Sequence, residues 1–116
     1  MFGVRQEWWP CSGYLSSMQN TMMDGVELAS LIHAGKASPI ELLEDAISRA
    51  DALNPQLNAI IHRLDQQARE RAQQMGAMSV PKEASLWGVP FLTKDLTVMT
   101  KGDPYHAGNV ALRDAD

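Results

Sequence analysis

Apolar side chains recur at helical spacing in three stretches of the chain, and two shorter stretches read as extended. Val26, Leu28, Leu31 and Ile32 form the first stripe. Asp24 stands at its cap, Glu27 sits three residues on, and Gly35 supplies a stop. This predicts a helix of about three turns. The second start is Ser38-Pro39-Ile40-Glu41, with serine at the cap, proline at the first helical position and glutamate at the third. Leu42, Leu43, Ala46, Ile47, Ala50 and Leu53 share one face, and Asn54-Pro55 is expected to end the helix. Glu41, Glu44, Asp45 and Arg49 fall opposite, as a solvated face. Asn58-Ala59-Ile60-Ile61-His62 is short and apolar between turn residues, which predicts a strand or extended segment. Asp65 is expected to cap a third helix reaching about Met75, with Ala68, Ala72 and Met75 on one face and Gly76 closing it.

After a loop from Ala77 to Ser85 comes the stretch on which the chemistry turns, Leu86-Trp87-Gly88-Val89-Pro90-Phe91-Leu92-Thr93-Lys94-Asp95-Leu96. In an extended chain, alternate side chains face opposite ways. Val89, Phe91 and Thr93 would share one face, and Pro90, Leu92 and Lys94 the other. An amine sheltered among hydrocarbon loses the hydration that favours its charged form, which is how a lysine becomes a base. The plain alternative is a strand-end lysine that snorkels into water or pairs with Asp95. Further on, Gly102, Pro104 and Gly108 mark turns between Thr100 and Asn109. Tyr105 and His106 in that loop read either as neighbours of a substrate channel or, more simply, as exposed residues without a role.

Gly88-Val89-Pro90-Phe91-x-x-Lys94-Asp95 resembles the lysine-bearing motif of the amidase signature family, and the likeness extends over roughly Asp24 to Asp116. That family hydrolyses amides with a Ser-cis-Ser-Lys triad. The resemblance implies that Lys94 is the triad lysine, the base that drives serine attack. It implies an α/β fold, the N-terminal portion of a mixed β-sheet flanked by helices, mostly helical here with short strands. It implies a small-molecule amide as substrate of the complete enzyme, and no cofactor. Two departures stand out. Trp87 occupies a position where relatives often carry histidine, and Gly108-Asn109 stands where they have a Gly-Ser pair. The family's serines lie in or near a Gly-Gly-Ser-Ser-Gly-Gly type run beyond the lysine, and this chain has no such run. Ser12, Ser16, Ser17, Ser30, Ser38, Ser48, Ser79 and Ser85 all precede Lys94. The expectation is therefore an amidase domain over 24–116, incomplete at its C-terminus and inactive alone. The remaining partner would be the missing C-terminal part, a second chain of a split enzyme, or another copy in a homodimer.

Composition narrows the alternatives. The chain has 116 residues, a net charge of −4, one cysteine and three histidines. An acidic balance argues against a nucleic-acid partner. Cys11 alone excludes an internal disulfide, and His33, His62 and His106 show no metal-ligand spacing, so no metal site is expected. His62 is expected to face solvent or bond locally rather than act as a catalytic histidine. No apolar run has the length of a membrane span, and the start lacks a signal-like apolar core, which makes the cytoplasm the default location. Residues 1–23 read as an irregular leader, with Met18, Met22 and Met23 as alternative starts and Trp8-Trp9 available to pack on other sequence. The competing reading of the whole is a non-catalytic helical interaction module in which the Gly-Val-Pro stretch is only a buried strand.

Overall fold

The computed structural model describes residues 23–112; the leader, with Trp8, Trp9 and Cys11, lies outside the described residues, apart from Met23. Three helices follow in order: α1 (Gly25–His33), α2 (Pro39–Leu57) and α3 (Asp65–Gly76), with a 3-10 turn at Val110–Leu112.

Both predicted capping boxes form. Asp24 Oδ1 accepts the N–H groups of Val26 and Glu27 at 2.9 Å each, and the Glu27 carboxylate accepts the Asp24 N–H at 2.9 Å. At α2 the Ser38 N–H and hydroxyl both donate to Glu41 Oε2, at 2.8 and 2.7 Å, while the Glu41 N–H reaches Ser38 Oγ at 3.4 Å. Each box satisfies amides that a helix start leaves orphaned. Helix α1 then stops through a Schellman pattern. The Lys36 N–H returns to the Leu31 carbonyl and the Gly35 N–H to that of Ile32, with Gly35 at φ +66°, a value that glycine adopts without steric cost.

Two helix ends differ from expectation. Helix α2 runs through Pro55 to Leu57. Proline costs it one hydrogen bond at an exposed position near its end. Asn58 then closes it in a left-handed conformation, donating its N–H to the Asn54 carbonyl. At α3 the cap position is Leu64, and Asp65 is the first helical residue. Its carboxylate is held from upstream by Arg63, whose Nε and Nη2 donate at 3.0 and 2.7 Å, so it does not cap the helix.

The core is small. Leu31, Ile32 and Leu42 are buried together, with Met23, Leu28, Ala37, Val80 and Trp87 packed around them. Val26, placed on the buried stripe by its spacing, is exposed, and Ala29 is buried instead. Leu53 is likewise exposed, although the shorter α3 packs along α2 and buries Ala72 between them. The polar face of α2 is partly recruited to α3: Glu44 accepts from Arg69 Nε and Nη2 at 2.6 and 2.9 Å. Arg63 bridges the two helices through Asp51 and Asp65.

Among the described residues there is no strand, which corrects a strand at Asn58–His62, where a strand or extended segment is expected, and the strand expected over Leu86–Leu96. A strand needs a partner for its backbone groups. At the first segment a side chain takes them: Asn54 Oδ1 accepts the N–H groups of Ala59 and Ile60, and Asn54 Nδ2 donates to the Ile60 carbonyl. At the second, Ser85–Gly88 forms turns and residues 89–94 have no regular structure. The regular structure of the described part is therefore all helical, and the sheet of the expected α/β fold is not seen in it. No helix of the described residues is long and apolar enough to cross a membrane.

Candidate functional site

The Gly-Val-Pro stretch reaches the helices through its first residues. Trp87 is half-buried against the Leu31–Ile32–Leu42 core, with its indole Nε1 buried and lacking a hydrogen-bond partner among the described residues. Gly88 follows at φ +74° with its Cα turned onto Ile32 and Pro39. Beyond it the chain passes an open apolar groove of about 490 Å³, whose walls include Leu43, Ala72, Met75, Trp87 and Phe91. It then leaves the helices, and Phe91 and Leu92 are 83% and 72% exposed.

Lys94 is exposed and lies outside any sheet. The expectation of an amine sheltered between apolar neighbours is not met within the described residues. The shelter required a strand covered on both faces, and this segment has no ladder partner.

Its neighbour Asp95 is engaged. Asp95 Oδ1 accepts the His106 N–H at 2.9 Å. That amide bond, above all, holds the Asp95 carboxyl below the ordinary carboxylate range; partial desolvation opposes it and the Ala107 amide adds to it. Asp95 Oδ2 is buried without a hydrogen-bond partner among the described residues. Tyr105 Oη donates to the Leu96 carbonyl at 3.0 Å, so the loop of Tyr105 and His106 is laid against the Lys94–Asp95 turn. These two residues are half-buried and occupied, in contrast to the simpler expectation of idle loop residues. The next residue, Ala107, has φ +48°, unusual for a side chain with a Cβ.

His62 is also corrected. It is half-buried, and its Nε2 lies 2.9 Å from His106 Nδ1, with the rings 4.7 Å apart and tilted by 50°. The local bond expected of it is one that spans 44 residues. His62, Asp95 and His106 thus meet, each with one donor atom within 4.8 Å of the others. Their spacing in the chain gives no sign of this, because His62 comes from the α2–α3 linker and the other two from the long segment after α3. His33 stays apart, its Nε2 3.2 Å from the Ala84 carbonyl.

The family model described as Amidase matches residues 41–115, which include the motif and both loops around it. The chain belongs to the amidase family. Curated relatives of this amidase-family chain include the 6-aminohexanoate-cyclic-dimer hydrolase of Pseudomonas sp. (strain NK87), 38% identical over 69% of this chain and 15% of that protein. The acylamidase of Rhodococcus erythropolis is 34% identical over 66% of the chain and 17% of its own length. A glutamyl-tRNA(Gln) amidotransferase subunit from Nitratidesulfovibrio vulgaris (strain DP4) is 33% identical over 60% and 14%. The chain thus spans less than a fifth of the length of these relatives. No solved structure gives a significant match.

Proposed function

We propose that this chain serves hydrolysis of a small-molecule amide, with Lys94 supplying the base. The observation that carries the reading is the family match across Gly88–Asp95, within relatives whose names describe hydrolysis or transfer at carbon–nitrogen bonds. A hydrolase must bring nucleophile, base and oxyanion donors to one carbonyl. On this reading the serines and the backbone amides for the oxyanion come from sequence other than these 116 residues. The same sequence would pair with residues 86–96 and enclose Lys94, completing a mixed sheet. A cytoplasmic location and the absence of a cofactor complete the proposal, since a serine nucleophile with a lysine base needs none.

The exposure of Lys94 and the open groove favour a second reading, a helical interaction module without chemistry. A chimera separates the two. The segment of the 6-aminohexanoate-cyclic-dimer hydrolase that matches this chain is replaced by the corresponding residues here, and amide hydrolysis is measured. The chimera is expected to turn over, and Lys94→Ala to lower kcat by about 10²–10⁴-fold, the usual worth of a positioned base. Turnover that survives Lys94→Ala refutes the assignment. The 116-residue chain by itself is expected to give no turnover.

A further inference from the structure

Three side chains from two connecting segments converge on one point that the hydrolytic reading leaves unused. His62 lies on the linker between α2 and α3, Asp95 on the turn after Lys94, and His106 in the loop that covers that turn. One donor atom from each lies within 4.8 Å of the other two. We propose that His62, Asp95 and His106 bind a single divalent transition-metal ion of the zinc class.

The donor set decides the class of ion. Two imidazole nitrogens and a carboxylate oxygen suit zinc and its neighbours, whereas calcium and magnesium take oxygen ligands almost throughout. The carboxylate has room for the task. Asp95 Oδ1 is occupied by the His106 amide, while Oδ2 is buried with no hydrogen-bond partner among the described residues. A buried carboxylate oxygen left in this way can take a water or an ion. The amide bond to Oδ1 also orients the carboxylate, as outer-shell contacts do for metal ligands.

The histidines need only a small adjustment. Their facing nitrogens are 2.9 Å apart, a hydrogen-bond distance, so one carries the proton between them. Two nitrogens on one tetrahedral zinc, at about 2.0–2.1 Å each, lie about 3.3 Å apart. Binding therefore opens the pair by a few tenths of an ångström. The proton between the rings moves to the outer nitrogen of its own imidazole, so that both inner nitrogens can ligate. The ion would tie the α2–α3 linker to the segment that carries Lys94. Its part is to fix that turn, and the assignment stands apart from whether the protein hydrolyses amides.

The test is zinc chloride titrated into the full 116-residue chain by calorimetry in a non-chelating buffer. One ion per chain is expected. His62→Gln and His106→Gln are each expected to weaken binding by more than about tenfold, since losing even an outer-shell partner costs 10–100-fold. His33→Gln and Cys11→Ser are expected to bind as the parent does. A measurement on the parent guards against variants that misfold: cobalt(II) should broaden the ring proton resonances of His62 and His106 and leave those of His33 sharp. No zinc binding, unchanged affinity in both ligand variants, or equal broadening of all three histidines overturns the proposal.

Discussion

A Cβ built on Gly88 would stand 2.8 Å from Ile32 Cδ1, inside any real contact distance, and equally close to Pro39 Cγ. The glycine of the Gly-Val-Pro motif is thus where the motif segment meets α1 and the start of α2. Its φ of +74° adds a second requirement, because a side chain there crowds the following carbonyl. Gly88→Ala is expected to destabilise the chain by about 2–5 kcal/mol, combining about 1–2 kcal/mol of backbone strain with about 1–3 kcal/mol of overpacking. Urea unfolding followed by helical circular dichroism measures it. A midpoint equal to that of the parent would mean that the motif does not pack on the helices as described.

The helix starts carry a smaller and more local contribution. Ser38→Ala removes the oxygen that receives the Glu41 N–H and leaves the Glu41 carboxylate without its hydroxyl donor. The loss of a serine cap typically costs about 1 kcal/mol. The same unfolding experiment is expected to show a destabilisation of that size, with the helical signal of the folded state nearly unchanged.

Acid should loosen the α2–α3 pairing. The Arg63 guanidinium beside Asp65 and the Arg69 guanidinium beside Glu44 hold both carboxyls below their ordinary range, each chiefly through a hydrogen bond. A carboxyl depressed in the folded state contributes its full stabilisation above its unfolded value, near pH 4, and loses it as pH falls through the lower folded value. Urea midpoints are therefore expected to hold between pH 7 and about pH 5 and to decline below about pH 4. Both pairs are partly exposed, so the decline should be modest and shrink in high salt. Arg69→Met should flatten it further. A midpoint that rises on acidification contradicts these ion pairs.

What the sequence made legible was whatever is settled within a few residues. Asp24 with Glu27, and Ser38 with Glu41, announce helix starts because both partners of each box lie three residues apart, and the structure contains both. The misplaced features depend on a competing side chain or a partner, near or far, that a local pattern does not rank. Asp65 looks like a cap until Arg63, two residues upstream, takes its carboxylate. Asn58–His62 looks like a strand until the Asn54 amide satisfies its backbone. The apolar run through Phe91 and Leu92 has the composition of a strand, but composition does not supply a neighbouring strand. The His62–His106 contact joins residues 44 apart, and no local pattern reports it. The Asn54 account is itself open to test. Asn54→Ala removes three hydrogen bonds worth about 0.5–1.5 kcal/mol each, discounted for exposure, so a loss of about 1–3 kcal/mol is expected. Hydrogen exchange at the Ala59 and Ile60 amides should accelerate together.

Lys94 offers the sharpest contrast between folding and chemistry. Its side chain is exposed, and its own carbonyl, not its amine, makes the local contact by accepting the Leu96 N–H at 2.8 Å. Lys94→Ala keeps that carbonyl, and substitutions at exposed positions away from caps and networks seldom matter to stability. The thermal midpoint of the 116-residue chain is therefore expected to stay where it is. In the chimera with the cyclic-dimer hydrolase the same substitution is expected to abolish most of the turnover. A lysine that served the fold would show the reverse, a lower midpoint with turnover retained. Measuring both quantities on one variant thus separates a residue that shapes the chain from one that acts on a substrate.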